Sequence, residues 1–230
     1  MRNPVQINVG EVDALVANKD IKQSIVMCND NEKFEKLTEI LKELVDSASD
    51  KIDPKAVAGG GKTHDKVIVF VAKKYSCHEL ANRLWEDGFA VDSLHGDRQQ
   101  WERTKVMQAF KGGALRLLIA TDVAARGLDV KDVGVVVNYD MPSGVNAVED
   151  YVHRIGRTGR AGAKGRAVTF FTPGDKKAAT QLVEVLGKAD QEIPAELQAM
   201  ARPRGFGGRG GGRGFYGGGG RGRGYMSGGG

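Results

Sequence analysis

Val67-Ile68-Val69-Phe70-Val71-Ala72 is an unbroken apolar run of strand length. A strand without a polar face must be covered on both sides, and that occurs in parallel sheets packed between helices. The flanking sequence repeats this arrangement. Lys74 to Asp87 has a helical pattern ended by Gly88, and Ala90 to Leu94 reads as a strand. Gln99 to Phe110 reads as a helix closed by Gly112 and Gly113, and Leu115 to Ala120 as another buried strand. Val133 to Tyr139 adds a strand, Val145 to about Arg154 a helix, and Ala167 to Phe171 a strand. Asp175 to Lys188 is a last helix with Ala178, Leu182, Val185 and Leu186 inward. Strands separated by helices of about a dozen residues imply parallel pairing through right-handed crossovers. The expected fold is therefore α/β, a doubly wound, mainly parallel sheet.

The first part of the chain follows the same logic. Val5 to Val9 alternates with period two and Ile21 to Cys28 is β-branched, so both read as strands. Asp30 is expected to cap a helix from Asn31 to about Ala48, whose stripe is Phe34, Leu37, Ile40, Leu41, Leu44 and Val45. The expected organisation is a linker and first strand over 1–20 and an α/β domain over 21–200, with a flexible polar insertion at 47–65. An Arg/Gly-rich tail covers 201–230. With 40% hydrophobic residues, 230 residues can bury one core and leave length over. The formal charge of +5 belongs to the tail: Arg202, Arg204, Arg209, Arg213, Arg221 and Arg223 lie there without an acid, and removing these six leaves about −1. A glycine-dominated tail cannot offset its ordering entropy and is expected to be disordered. Cys28 and Cys77 show no zinc or disulfide spacing, which fits a reducing compartment. No signal peptide or membrane-length apolar run is present, so a soluble protein of the nucleus or cytoplasm is expected, with no membrane partner.

Doubly wound sheets bind ligands outside the carboxyl ends of their strands. The chemistry-bearing residues fall at such ends. His153-Arg154-Ile155-Gly156-Arg157-Thr158-Gly159-Arg160 packs three arginines and a histidine into eight residues with glycines between them. Guanidinium forks match phosphate oxygens, so this cationic claw suits a polyphosphate such as that of a nucleotide. Gln100 and Arg103 share a face in the first turn of a helix, where a phosphate would be favoured, although a solvated face would have the same spacing. Thr121 fits a helix N-cap, and taken alone Asp129 reads as a turn residue. Phe70 and Tyr139 are assigned to the core. Ala56 to Thr63 fits a relaxed phosphate-loop pattern. It is rejected because a polar segment with Pro54 precedes it and a strand follows, the reverse of the strand–loop–helix order such loops need. In the tail, Arg209, Arg213, Arg221 and Arg223 alternate with Phe215, Tyr216 and Tyr225, a composition suited to sequence-tolerant, salt-sensitive RNA binding.

The string from His153 to Arg160, with Ala120-Thr121-Asp122-Val123-Ala124-Ala125-Arg126-Gly127-Leu128-Asp129-Val130, resembles the paired signatures of DEAD-box RNA helicases. The resemblance is to their second RecA-like domain. It covers about Pro4 to Leu197, with the subfamily carrying an arginine-glycine tail nearest. It implies a RecA-like fold of the P-loop NTPase type and an ATP-dependent RNA helicase with ATP and Mg²⁺ as cofactors. It further implies that Arg157 and Arg160 are arginine fingers and that His153 meets the partner domain's catalytic acid motif. Gly127 and Asp129 fall on the ATP side, Asp129 against the ribose. Gly96, Asp97, Gln100 and Arg103 would follow the RNA sugar-phosphate track, Thr121 would touch RNA, and Arg126 would line the cleft and couple the two sites.

No working phosphate loop or Asp-Glu-Ala-Asp string is present in the sequence. In the family those parts, and most of the Mg²⁺ grip, lie on an N-terminal RecA-like domain. This chain is therefore expected to be a C-terminal half that needs that domain to hydrolyse ATP, with RNA and ribonucleoprotein components as further partners. Two alternatives remain: a stand-alone RNA-binding or annealing module acting through the tail, and a self-sufficient ATPase using Gly59 to Thr63. The 47–65 segment is the main departure from the family pattern.

Overall fold

The computed structural model describes residues 17–44, 66–125, 130, 132–160 and 162–201. The expected strand at Val5 to Val9, the 47–65 insertion and the Arg/Gly tail lie outside these residues.

Six strands form one sheet: β1 (Ile21–Met27), β2 (Lys66–Phe70), β3 (Val91–Leu94), β4 (Leu117–Ala120), β5 (Val133–Asn138) and β6 (Gly165–Phe171). Their spatial order is β1-β6-β5-β2-β4-β3. Every pairing among them is parallel, so the expected "mainly parallel" sheet is wholly parallel over the described residues. The helices are α1 (Lys33–Leu44), α2 (Lys74–Glu86), α3 (Gln100–Gly112), α4 (Asp122–Ala125), α5 (Ala147–Ile155), α6 (Ala179–Lys188) and α7 (Ala195–Met200). Strand β2 is buried at all five positions, as its apolar run requires.

The side-chain alternation of the strands divides the core between two faces. Val67, Val69, Ile119, Val135 and Val137 pack with Leu37 and Leu41 of α1 and Cys77, Leu80 and Leu84 of α2. On the opposite face, Ile68, Phe70, Leu118 and Val136 meet Val106 and Phe110 of α3 and the two buried alanines of α4. Continuing along that face, Ile21, Ile25, Ala167 and Phe171 pack against Tyr151 and Ile155 of α5, Leu182 and Leu186 of α6, and Leu197 of α7. Helices on both faces make the sheet doubly wound.

Three local expectations are corrected. The residue at the first helical entry is Asn29: its backbone N–H donates to the Glu32 carboxylate at 2.7 Å, while Asp30 opens a 3₁₀ turn that feeds α1. The last long helix begins as a 3₁₀ segment, Pro173–Ala178, held by Asp175, whose carboxylate accepts from the N–H and hydroxyl of Thr172, both at 2.8 Å. Helix α7 was not expected, because six residues behind Pro194 carry a single fully buried apolar anchor, Leu197, too little for a periodic signal. Gly113 closes α3 at φ 79°, the left-handed conformation expected of a glycine stop.

Candidate functional site

After β2 the chain moves through α2 towards the β3 edge, whereas after β4 it moves through α4 to β5 on the other side of β2. The loops leaving these strands therefore part at their carboxyl ends, and a crevice opens there. It is lined by Phe70, Asp122, Ala125, Asp150, His153, Arg154 and Arg157. Phe70 thus has two places, as expected core and as pocket wall.

Arg154 is the fixed point of the pocket. Its side chain is 3% exposed. Nε and Nη2 donate to the two Asp122 oxygens at 2.6 and 2.7 Å, and Nη1 donates to the Asp140 carbonyl at 2.6 Å and to Asn138 Oδ1 at 3.4 Å. The guanidinium lies 5.2 Å from the centroid of the Phe70 ring. A buried cation is tolerated because its donors are met by a fork-to-fork carboxylate and by carbonyl oxygens. Asp140 is shared in turn: one carboxylate oxygen accepts from Lys33 Nζ at 2.9 Å and the other from the Ala72 N–H at 2.9 Å. Asn138 Nδ2 donates to the Thr169 hydroxyl at 2.9 Å.

The turn after α5 is anchored between its two outer arginines. Thr158 is buried, and its hydroxyl donates to the Val133 and Gly134 carbonyls at 2.6 and 3.0 Å. Gly159 has φ +66°, its carbonyl accepts from Asn18 Nδ2 at 3.0 Å, and a Cβ there would lie 2.5 Å from Ile21 Cγ1. A glycine is needed on both conformational and spatial grounds. With Thr158 and Gly159 seated against the sheet, Arg157 and Arg160 remain half-buried, and Arg160 Nε donates back to the Gly156 carbonyl at 2.9 Å. Burial, followed by the positive charge of Arg160, pulls the Arg157 pKa down.

The remaining expected site residues sort as follows. His153 and Arg157 line the pocket, with His153 exposed. Gln100 and Arg103 are joined in the first turn of α3, where Arg103 Nη1 donates to Gln100 Oε1 at 3.3 Å. Gly96 is exposed with open space around it, and Asp97 pairs with Lys74 at 2.9 Å. Thr121 is buried, and its carbonyl accepts from the Ala125 N–H at 2.9 Å, which starts α4. The structure brings Thr121 next to the pocket because its neighbour Asp122 is held by Arg154. Arg126, Gly127, Asp129 and the tail arginines fall outside the described residues.

The helicase conserved C-terminal domain matches residues 55–162. The solved C-terminal domain of the DEAD-box protein Dbp5 superposes with a TM-score of 0.60 at 36% identity, over 76% of this chain and 88% of that one. The chain belongs to the DEAD-box RNA helicase family. Its described fold is that of the family's C-terminal domain. S. cerevisiae Dbp5 bound to RNA and ADP BeF3 gives a TM-score of 0.59 at 34% identity, covering 77% of this chain and 41% of that one. DEAD-box ATP-dependent RNA helicase 30 of Arabidopsis thaliana is 44% identical over 94% of this chain and 33% of its own length. DEAD-box ATP-dependent RNA helicase 46 of the same plant is 45% identical over 93% and 32%. The chain therefore spans about a third of these DEAD-box relatives.

Sequence reasoning counted Arg154 in the claw but gave it no separate task, and it passed over Asp122, Asp140 and Lys33. One signal was available. Tyr151, Arg154 and Ile155 are spaced i, i+3 and i+4, so the arginine lies on the apolar stripe of α5, and a charge there requires a buried partner. The partner's identity depends on sheet order and was not readable from spacing.

Proposed function

We propose that this chain is the C-terminal lobe of an ATP-dependent RNA helicase, supplying arginine fingers and one wall of a single-stranded RNA site. The observation that carries this reading is the crevice beyond the carboxyl ends of β2 and β4, where Arg157 lies in the turn after α5, three residues past the immobilised Arg154. Charge spreads over the γ-phosphate oxygens in phosphoryl transfer. Arginines already held in place stabilise that charge without reorganising, and known fingers contribute roughly 10³ to 10⁵ in rate. Arg157 and Arg160 would face the triphosphate, with His153 at the partner domain and Asp129 and Gly127 on the ATP side. ATP, when bound, supplies the phosphoryl group. The Mg²⁺ grip would belong mainly to the N-terminal RecA-like domain.

RNA would run along Gly96, Asp97, Gln100 and Arg103 to Thr121 and Arg126, with the tail arginines adding a non-specific electrostatic hold. ATP and RNA together would close two such lobes and hydrolysis would reopen them. Two buried free thiols fit work in the nucleus or cytosol, beside other ribonucleoprotein components.

The test is RNA-stimulated ATPase of this chain alone and after mixing with an N-terminal RecA-like domain from a DEAD-box relative. Activity that arises only on mixing and is lost in Arg157→Ala and Arg160→Ala is expected. Equal activity in those variants, or tail-dependent RNA binding without ATPase under either condition, would overturn this reading.

A further inference from the structure

Among the described residues the large apolar side chains left exposed are Tyr75, Trp85, Trp101, Val123 and Val145. Their placement is uneven. Tyr75, Trp101 and Val123 are each the second residue of their helix, α2, α3 and α4, and these helices follow β2, β3 and β4 directly. Those strands are neighbours in the order β2-β4-β3, so the three helix starts lie along one stretch of the carboxyl edge of the sheet, that of α2 on one face and those of α3 and α4 on the other. Only Trp85 sits at the far end of its helix. Isolated exposed apolar residues need no explanation, but a row on the ligand-binding edge does.

Trp101 is the most telling. It is 63% exposed, and its indole N–H donates to Gln99 Oε1 at 2.7 Å, so the ring is fixed at the helix start rather than folded onto the core. Its neighbours in the chain are Gln100 and, two residues on, Arg103, whose Nε is buried without a hydrogen-bond partner. Tyr75, 74% exposed, is tied to the same place: adjacent Lys74 pairs with Asp97 in the β3–α3 loop at 2.9 Å, and His78 meets His95 edge-on at 6.4 Å. Basic side chains interleaved with exposed aromatics along one edge are the pattern of a single-stranded nucleic-acid platform, in which arginines hold phosphates and rings stack on unpaired bases.

We propose that Trp101 and Tyr75 form a base-stacking edge beside the phosphate track, so that this lobe holds the bases of single-stranded RNA as well as its backbone. The inference rests on the RNA reading above. Stacking is worth about 1 to 3 kcal/mol per base, so Trp101→Ala should weaken binding of a short oligoadenylate roughly tenfold. The salt dependence should not change, since no charge is lost. Trp101→Phe should restore most of the affinity. In a Trp85→Phe background, the remaining indole should be quenched by oligoadenylate and not by an abasic strand of the same length. Arg103→Ala serves as the control for the track and should lower both affinity and salt slope. If Arg103→Ala weakens binding while Trp101→Ala does not, or if both strands quench alike, the stacking edge is wrong and the phosphate track stands. If Arg103→Ala is silent as well, both fail. Quenching by an added RecA-like domain but not by RNA would assign the rim to a protein contact and overturn the proposal.

Discussion

Asp122 and Arg154, thirty-two residues apart, meet in a two-point ion pair with contacts of 2.6 and 2.7 Å. Asp122 follows Thr121 on the proposed RNA wall, and Arg154 precedes Arg157 by three residues on the proposed nucleotide side. The pair fastens α4 to α5. Because the guanidinium is almost fully buried, Asp122→Ala would leave it short of a counter-charge. A loss of about 3 kcal/mol is expected, the low end for breaking a buried pair because Asp122 is itself 39% exposed. Arg154→Lys keeps the charge but loses the fork and should cost nearly as much. Urea unfolding of the two variants measures this; an unchanged midpoint would contradict the fixed-point role of Arg154.

Gly159 combines a left-handed backbone with a wall 2.5 Å from its missing Cβ. Gly159→Ala should cost about 1 to 3 kcal/mol, from the left-handed conformation together with overpacking against Ile21. Truncating Ile21 to Ala removes Cγ1 and so addresses only the packing part; Gly159→Ala should therefore cost less in an Ile21→Ala background than in the native one, with a residual loss from the backbone. Thermal melts of the single and double variants decide it; no residual loss would mean the backbone conformation carries no strain.

Cys77 is buried, and burial pushes its thiol up to about 11. Its sulfur also lies 3.3 Å from the Ile119 carbonyl. Because the folded thiol resists ionising, the stability it contributes is complete below its ordinary pKa of 9.0. It is lost as pH rises from there towards 11, where the unfolded chain ionises and the folded chain does not. Native protein at pH 8 should therefore react with a thiol reagent far more slowly than protein in guanidinium. Cys77→Ala should show a shallower decline in stability between pH 9 and 11, measured by chemical unfolding across that range.

Much of the sheet was legible because β2, β4, β5 and β6 are nearly continuous apolar runs, and glycines 88 and 113 punctuate the helices at their ends. The claw was legible because its arginines are close in sequence. The family resemblance singled out Arg157 and Arg160, but what spacing could not give was the partner that sets Arg154 apart. By spacing alone Arg154, Arg157 and Arg160 look equivalent, yet Arg154 is bound by Asp122 and the Asp140 carbonyl while the other two are half-buried beyond it. That division follows from β5 lying beside β2, a long-range fact that places Asp140 and Phe70 next to α5. Helix α7 and the Asn29–Glu32 entry were missed for the opposite reason: they are short, and one buried anchor or one backbone hydrogen bond leaves no periodic trace.

Asp140 receives a lysine from α1, a backbone amide from the exit of β2 and an arginine from α5, three donors from three segments distant in sequence. The arginine string is thus not a portable cassette. Grafting residues 151–160 onto another parallel sheet would transfer the guanidiniums without the scaffold that tells them apart. A designer would have to carry Lys33, Asp122 and Asp140 along with it, which amounts to rebuilding the middle of this sheet.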